Sequence, residues 1–147
     1  MTLKWKQRYL RLAREVSTWS KDPSSQIGAV AIGHGGRVLS MGYNGFPMGI
    51  KDTDDRLADR PTKYKYVVHA EMNVIYNAGL NGVQLQDAHL FVWGLPVCSE
   101  CAKGMIQSGI AHIVMHEQEI PEKWLESWEF SKSLFDEAGI TYEFIKL

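Results

Sequence analysis

Apolar residues Tyr9, Leu12, Ala13, Val16 and Trp19 recur at helical spacing. They predict a first helix, capped by Thr2 and running to about Ser20. The turn formers of Lys21-Asp22-Pro23-Ser24-Ser25 break it. Ile27 to Ile32 is then a nearly unbroken apolar run, the mark of a strand buried on both faces. Gly33-His34-Gly35-Gly36 makes a turn, and Arg37 to Gly42 returns as a second strand, giving an antiparallel hairpin. Residues 43 to 66 show no period and read as one long irregular connection. Connections of that length in small domains are uncommon and usually functional.

Periodicity resumes at His69. The pattern predicts a helix from about His69 to Ala78, stopped by Gly79, and a strand from Ala88 to Trp93. A further helix spans about Cys98 to Ser108, stopped by Gly109, and Ala111 to His116 is a fourth strand. Pro121 suits the first turn of a last helix, which ends near Ala138 with Gly139 beyond it. Ile140 to Ile145 is the final strand. Strands three to five alternate with helices, which implies parallel crossovers and helices on both faces of the sheet. The expected fold is α/β, with a five-stranded mixed sheet in a three-layer α/β/α sandwich. In the last helix Trp124, Trp128 and Phe135 suit core packing. Trp128 and Phe130 cannot both face inward with Trp124, so one of them is a candidate subunit contact.

Composition narrows the function. The chain has 147 residues, enough for one domain spanning residues 1 to 147. Its formal net charge is −1, which provides no field for gripping a nucleic acid. No apolar run approaches the roughly 18 residues of a membrane span. The first residues are charged throughout and carry no signal-peptide core, so a cytoplasmic protein is expected. In that reducing setting two cysteines three apart favour a metal over a disulfide.

The candidate chemistry lies in two segments, Val68-His69-Ala70-Glu71-Met72-Asn73 and Leu95-Pro96-Val97-Cys98-Ser99-Glu100-Cys101. Cys98 and Cys101 are one helical turn apart and can bite one ion. At a helix start, unpaired N–H groups favour the thiolate. With His69 they offer three ligands for a catalytic zinc, leaving a fourth position for water. His69 and Glu71, two apart on a regular helix, would point to nearly opposite sides. They share a site only if His69 stands at the helix mouth. Glu71 then need not be a ligand and can carry protons between the water, a ring nitrogen and a leaving amine. His34, His89, His112 and His116 read as turn, core or edge residues rather than ligands.

His69-Ala70-Glu71 followed by Pro96 and Cys98-Ser99-Glu100-Cys101 resembles the signature of the zinc-dependent cytidine and deoxycytidylate deaminases. Within that superfamily the chain looks most like the deoxycytidylate (dCMP) deaminases. The narrower likeness is carried by Lys21-Asp22-Pro23-Ser24-Ser25-Gln26-Ile27-Gly28-Ala29, Gly42-Tyr43-Asn44-Gly45-Phe46-Pro47 and Tyr66-Val67-Val68-His69. It covers about residues 8 to 116. The resemblance implies His69, Cys98 and Cys101 as ligands of one catalytic Zn2+ per subunit and Glu71 as proton shuttle. The reaction would be hydrolysis of dCMP to dUMP and ammonia, supplying dUMP for thymidylate synthesis. It also implies a homohexamer activated by dCTP and inhibited by dTTP. The effector loop would be Tyr43, Asn44 and Gly45, and Mg2+ could accompany a bound dNTP. One departure stands out: the signature sets Pro directly before the first Cys, whereas Val97 intervenes here.

The substrate would be a small nucleotide, with neither nucleic acid nor membrane as partner. Asn44 is assigned to the sugar by resemblance, although it could instead hold a turn before Gly45. Lys21, Ser24 and Ser25 are candidates for a phosphate cradle; Lys103 alone reads better as a surface residue. Asn73 and Tyr66 are further candidates near the base. Two other readings compete: deamination of another cytosine or purine base or nucleoside, and a non-catalytic zinc module, which would have no use for Glu71.

Overall fold

A computed structural model describes residues Met1–Leu147. The elements are α1 (Leu3–Ser17), β1 (Gly28–Ile32), β2 (Val38–Tyr43), α2 (Asp54–Ala58), α3 (Arg60–Tyr66), α4 (Ala70–Leu80), β3 (His89–Trp93), α5 (Ser99–Gln107), β4 (His112–His116), α6 (Glu122–Ala138) and β5 (Thr141–Ile145). The sheet order is β2-β1-β3-β4-β5. β1 pairs antiparallel with both β2 and β3, while β3, β4 and β5 run parallel. The mixed five-stranded α/β sandwich expected from the sequence is therefore present.

Strand alternation sorts the core into two layers. Ala29, Ala31, Leu90, Val92, Ile113 and Met115 face α4, α5 and α6 in the larger cluster. Val30, Ile32, Phe91 and Val114 face Leu10, Ala13 and Val16 of α1. The apolar runs of β1, β3 and β4 are continuous because both of their faces are covered. Gly42 lets α4 lie directly on β2. A Cβ there would sit 2.5 Å from the Ala70 carbonyl oxygen and 2.6 Å from the Val74 nitrogen.

Four expectations need correction. α1 ends at Ser17 rather than Ser20. α4 continues through Gly79 to Leu80; the left-handed residue that closes it is Gly82, at φ 66°, and the Val83 N–H donates to the Ala78 carbonyl. The stretch read as wholly irregular contains α2 and α3. Thr53 caps α2 by accepting from the Arg56 N–H, and Asp59 caps α3 by accepting from the Thr62 N–H. Pro61 sits in the first turn of α3, where its missing N–H costs nothing. In α6, Trp128 and Phe135 are core residues and Phe130 is about half exposed. Trp124 borders a cleft instead of packing in the core. No helix is long and apolar enough to cross a membrane.

Candidate active site

Two helix mouths build the centre. His69 is the N-cap residue of α4 and Cys98 that of α5, both in extended backbone. Helical twist has not begun at His69, so His69 and Glu71 can serve one site despite their spacing. Cys98 Sγ accepts from the Cys101 N–H at 3.4 Å, which makes the thiol itself the cap. The Ser99 N–H donates to Ser127 Oγ of α6 at 2.9 Å, fixing the same turn from outside. Val97, which stands between Pro96 and Cys98, is fully buried, and its carbonyl accepts from Ser131 Oγ at 2.8 Å. It is thus packed into the core, and Pro96 borders the cleft.

His69 Nδ1 lies 3.3 Å from both Cys98 Sγ and Cys101 Sγ. These three donor atoms lie within 4.8 Å of one another. In a tetrahedral zinc site the N···S separation is about 3.6 Å, from bonds of about 2.1 and 2.3 Å. The two N···S separations come within a few tenths of an ångström of that value. The hydrogen bond from Cys101 pushes the Cys98 thiol down, while Cys101, giving that bond, is pushed up. His69 is pushed up to about 9 by its hydrogen bond with Cys98.

Glu71, in the first turn of α4, is 4% exposed. Burial is the main reason its carboxyl is pushed up to about 7. It faces a cleft that also meets His69, Cys98, Leu95 and Pro96.

The other candidates divide. Ser24, Ser25 and Asn44 border this cleft, but Lys21, Tyr43, Gly45, Tyr66 and Asn73 do not. Lys21 is exposed and paired with Asp52 at 3.0 Å. Asn73 Nδ2 donates to the Tyr43 carbonyl at 2.8 Å. Tyr66 stacks on Phe46 at 5.2 Å, with the Arg56 guanidinium over its ring. Gly45 pairs with Val68 through both backbone hydrogen bonds, tying the loop to the residue before His69. Tyr43, Asn44, Gly45 and Lys21 meet around a neighbouring cavity with Trp19 and Phe46.

Asn44 is 5% exposed and has no left-handed backbone. Its Oδ1 accepts from the Ile27 N–H at 2.8 Å and its Nδ2 donates to the Ser25 carbonyl at 2.8 Å. It braces the loop that carries Ser24 and Ser25. Lys103 pairs with Glu100 at the surface. His112 bonds Thr141 and Glu143, and His116 stacks on Trp93, so neither reaches the centre. Sequence reasoning missed Asp22, Arg60, Lys63, Tyr64, Lys123 and Trp124 on the cleft wall. Asp59 and Pro61 mark the start of α3, which puts Arg60 and Lys63 on one face, but nothing local to them points to the cleft.

Comparisons with known proteins agree with this geometry. Residues 3–117 match the family described as the cytidine and deoxycytidylate deaminase zinc-binding region. The chain is 36% identical to an uncharacterized deaminase from the luxG 3′ region of Aliivibrio fischeri, covering 100% of this chain and 97% of that one. It is 34% identical to human deoxycytidylate deaminase over 95% of this chain and 79% of the relative. Its fold is similar to that of the dCMP deaminase of cyanophage S-TIM5, solved with dCMP and dUMP. The TM-score is 0.78 at 20% identity, covering 97% of this chain and 98% of that one. With the His-Cys-Cys triangle and a buried carboxylate in place, the chain belongs to the zinc-binding cytidine and deoxycytidylate deaminases.

Proposed function

We propose that the protein hydrolyses dCMP to dUMP and ammonia, with His69, Cys98 and Cys101 holding one zinc ion. The observation that carries this reading is Glu71, a buried carboxyl that opens on the same cleft as the three donors. A purely structural metal site would have no use for it. Zinc held there supplies a nucleophile at neutral pH by lowering the pKa of its water from about 15.7 toward about 7. Glu71 would take the two water protons in turn, passing the first to the ring nitrogen and the second to the leaving amine. The water oxygen becomes the carbonyl oxygen at C4, one hydrogen ends on the ring nitrogen, and the other leaves with the amine as ammonia. Leu95 and Pro96 offer apolar wall to the pyrimidine, and Ser24, Ser25 and Asn44 lie toward the sugar and phosphate end. Support for dCMP over other cytosine compounds comes from relatives named deoxycytidylate deaminase at 34–37% identity.

Assembly as a homohexamer under dCTP and dTTP control belongs to the same proposal. The cavity between Trp19, Lys21, Tyr43 and Gly45 is the place we assign to the effector. The test is ammonia release by zinc-loaded protein from dCMP, deoxycytidine and cytosine, with and without dCTP and dTTP. Turnover confined to dCMP supports the reading; turnover of cytosine or deoxycytidine alone overturns it.

A further inference from the structure

The wall of the cleft carries a buried cation. Lys63 is 5% exposed, and its Nζ has one hydrogen-bond partner in the protein, Asp22 Oδ1 at 3.1 Å, with the Tyr64 ring centroid 5.9 Å away. An ammonium has three N–H donors, so two remain, in a side chain that borders the cleft. Asp22 is not free to follow Lys63. Its Oδ1 accepts from the Ser24 and Ser25 N–H groups at 2.8 and 3.0 Å, and its Oδ2 from Asn44 Nδ2 at 3.5 Å. Arg60, one turn earlier on α3, and Lys123, on α6, border the same space. Three cations thus face two carboxylates, Asp22 and Glu71, in a chain of net charge −1. The N–H donors of Lys63 not taken by Asp22 are available to an anion entering the cleft, where a charge-assisted bond is strong.

We propose that Lys63, positioned by Asp22 and flanked by Arg60 and Lys123, binds the phosphate group of the substrate and selects nucleotide over nucleoside. This rests on the reading of the cleft as a pyrimidine-nucleotide site. Lys63 is the binding residue and Asp22 a positioning residue. Lys21, turned away toward Asp52, takes no part.

Equilibrium binding to the zinc-loaded protein tests this with three ligands that are not turned over: dUMP, deoxyuridine and 2-deoxyribose 5-phosphate. Lys63→Met weakens dUMP and 2-deoxyribose 5-phosphate about 10- to 100-fold, the usual worth of a charge-assisted bond, and changes deoxyuridine less than about twofold. Arg60→Gln and Lys123→Gln, at exposed positions, each weaken dUMP several-fold, and less so at high salt. Lys63→Met leaves Asp22 unpaired and could unfold the loop, so the double variant Lys63→Met/Asp22→Asn removes both charges. If Lys63 only neutralised Asp22, the double variant would regain dUMP affinity; under the proposal the affinity stays low. Unchanged dUMP binding in Lys63→Met, recovery in the double variant, or equal loss for deoxyuridine overturns the proposal. Should the protein release no ammonia from dCMP yet bind 2-deoxyribose 5-phosphate through Lys63, the proposed reaction falls and the phosphate site stands.

Discussion

Replacing Asn44 by alanine separates a brace from a substrate contact. The side chain satisfies the buried Ile27 N–H and the Ser25 carbonyl, both at 2.8 Å. Alanine leaves both groups without a partner, at about 1–3 kcal/mol each. Water entering the loop recovers part of that, so a net loss of about 2–4 kcal/mol is expected. At about 2–4 °C per kcal/mol for a chain of this size, the melting temperature falls by roughly 5–15 °C. Asn44→Asp keeps the acceptor for Ile27 but sets a carboxylate against the Ser25 carbonyl and Asp22 Oδ2, 3.5 Å from the present nitrogen. It therefore destabilises more than alanine at pH 7. The assay is urea and thermal denaturation of the zinc-loaded variants beside KM for dCMP. KM rises in both, because the loop bears Ser24 and Ser25. A melting temperature within about 2 °C of the parent, with a raised KM, would refute the brace and make Asn44 a direct substrate contact.

Glu71→Gln keeps one zinc per chain and the parent melting curve but lowers turnover of dCMP by at least about 10²–10⁴-fold, read by ammonia release and metal analysis; retained turnover would sink the shuttle. Removing the metal with a chelator abolishes turnover and lowers the melting temperature, and one equivalent of zinc restores both. Gly42→Ala destabilises by several kcal/mol, because the atoms its Cβ meets belong to the α4 backbone and cannot swing aside; an unchanged urea midpoint would contradict that packing. Burial holds the imidazoles of His89 and His116 below their ordinary value. The unfolded chain takes up those protons near pH 6.5 and the folded chain only at lower pH, so stability is full above about 6.5 and falls as pH drops beneath it. The urea midpoint at pH 5 should lie below that at pH 7.5, and His116→Gln should flatten the difference.

Much of the fold was legible because each strand announces its own burial. Ile27 to Ile32 is apolar throughout since α1 covers one face and α4 the other. Gly109 and Gly139 mark helix ends because the chain turns left-handed there, at φ 81° and 77°. Gly79 misled because glycine is tolerated inside a helix, and the turn that needed positive φ came at Gly82. Residues 54–66 misled for a different reason. α2 and α3 have five and seven residues, too few for an apolar period to show. Only their caps, Thr53 and Asp59, betray them.

The site divides along the same line. His69, Glu71, Cys98 and Cys101 were readable because each pair lies within one turn of chain, and spacing alone decides whether two side chains can share an ion or a proton. The cations were not readable that way. Lys63 meets Asp22 across 41 positions, and Lys21, adjacent to Asp22, goes to Asp52 instead. In sequence, Lys21 beside Ser24 and Ser25 is the better phosphate cradle. In the fold, Asp22 takes up the Ser24 and Ser25 N–H groups, and Lys21 lies outside the cleft. Local spacing thus finds the His-Cys-Cys group and the carboxyl beside it, whereas which cations border the cleft depends on which side of a turn each side chain leaves. That is settled only when α3 packs against the loop.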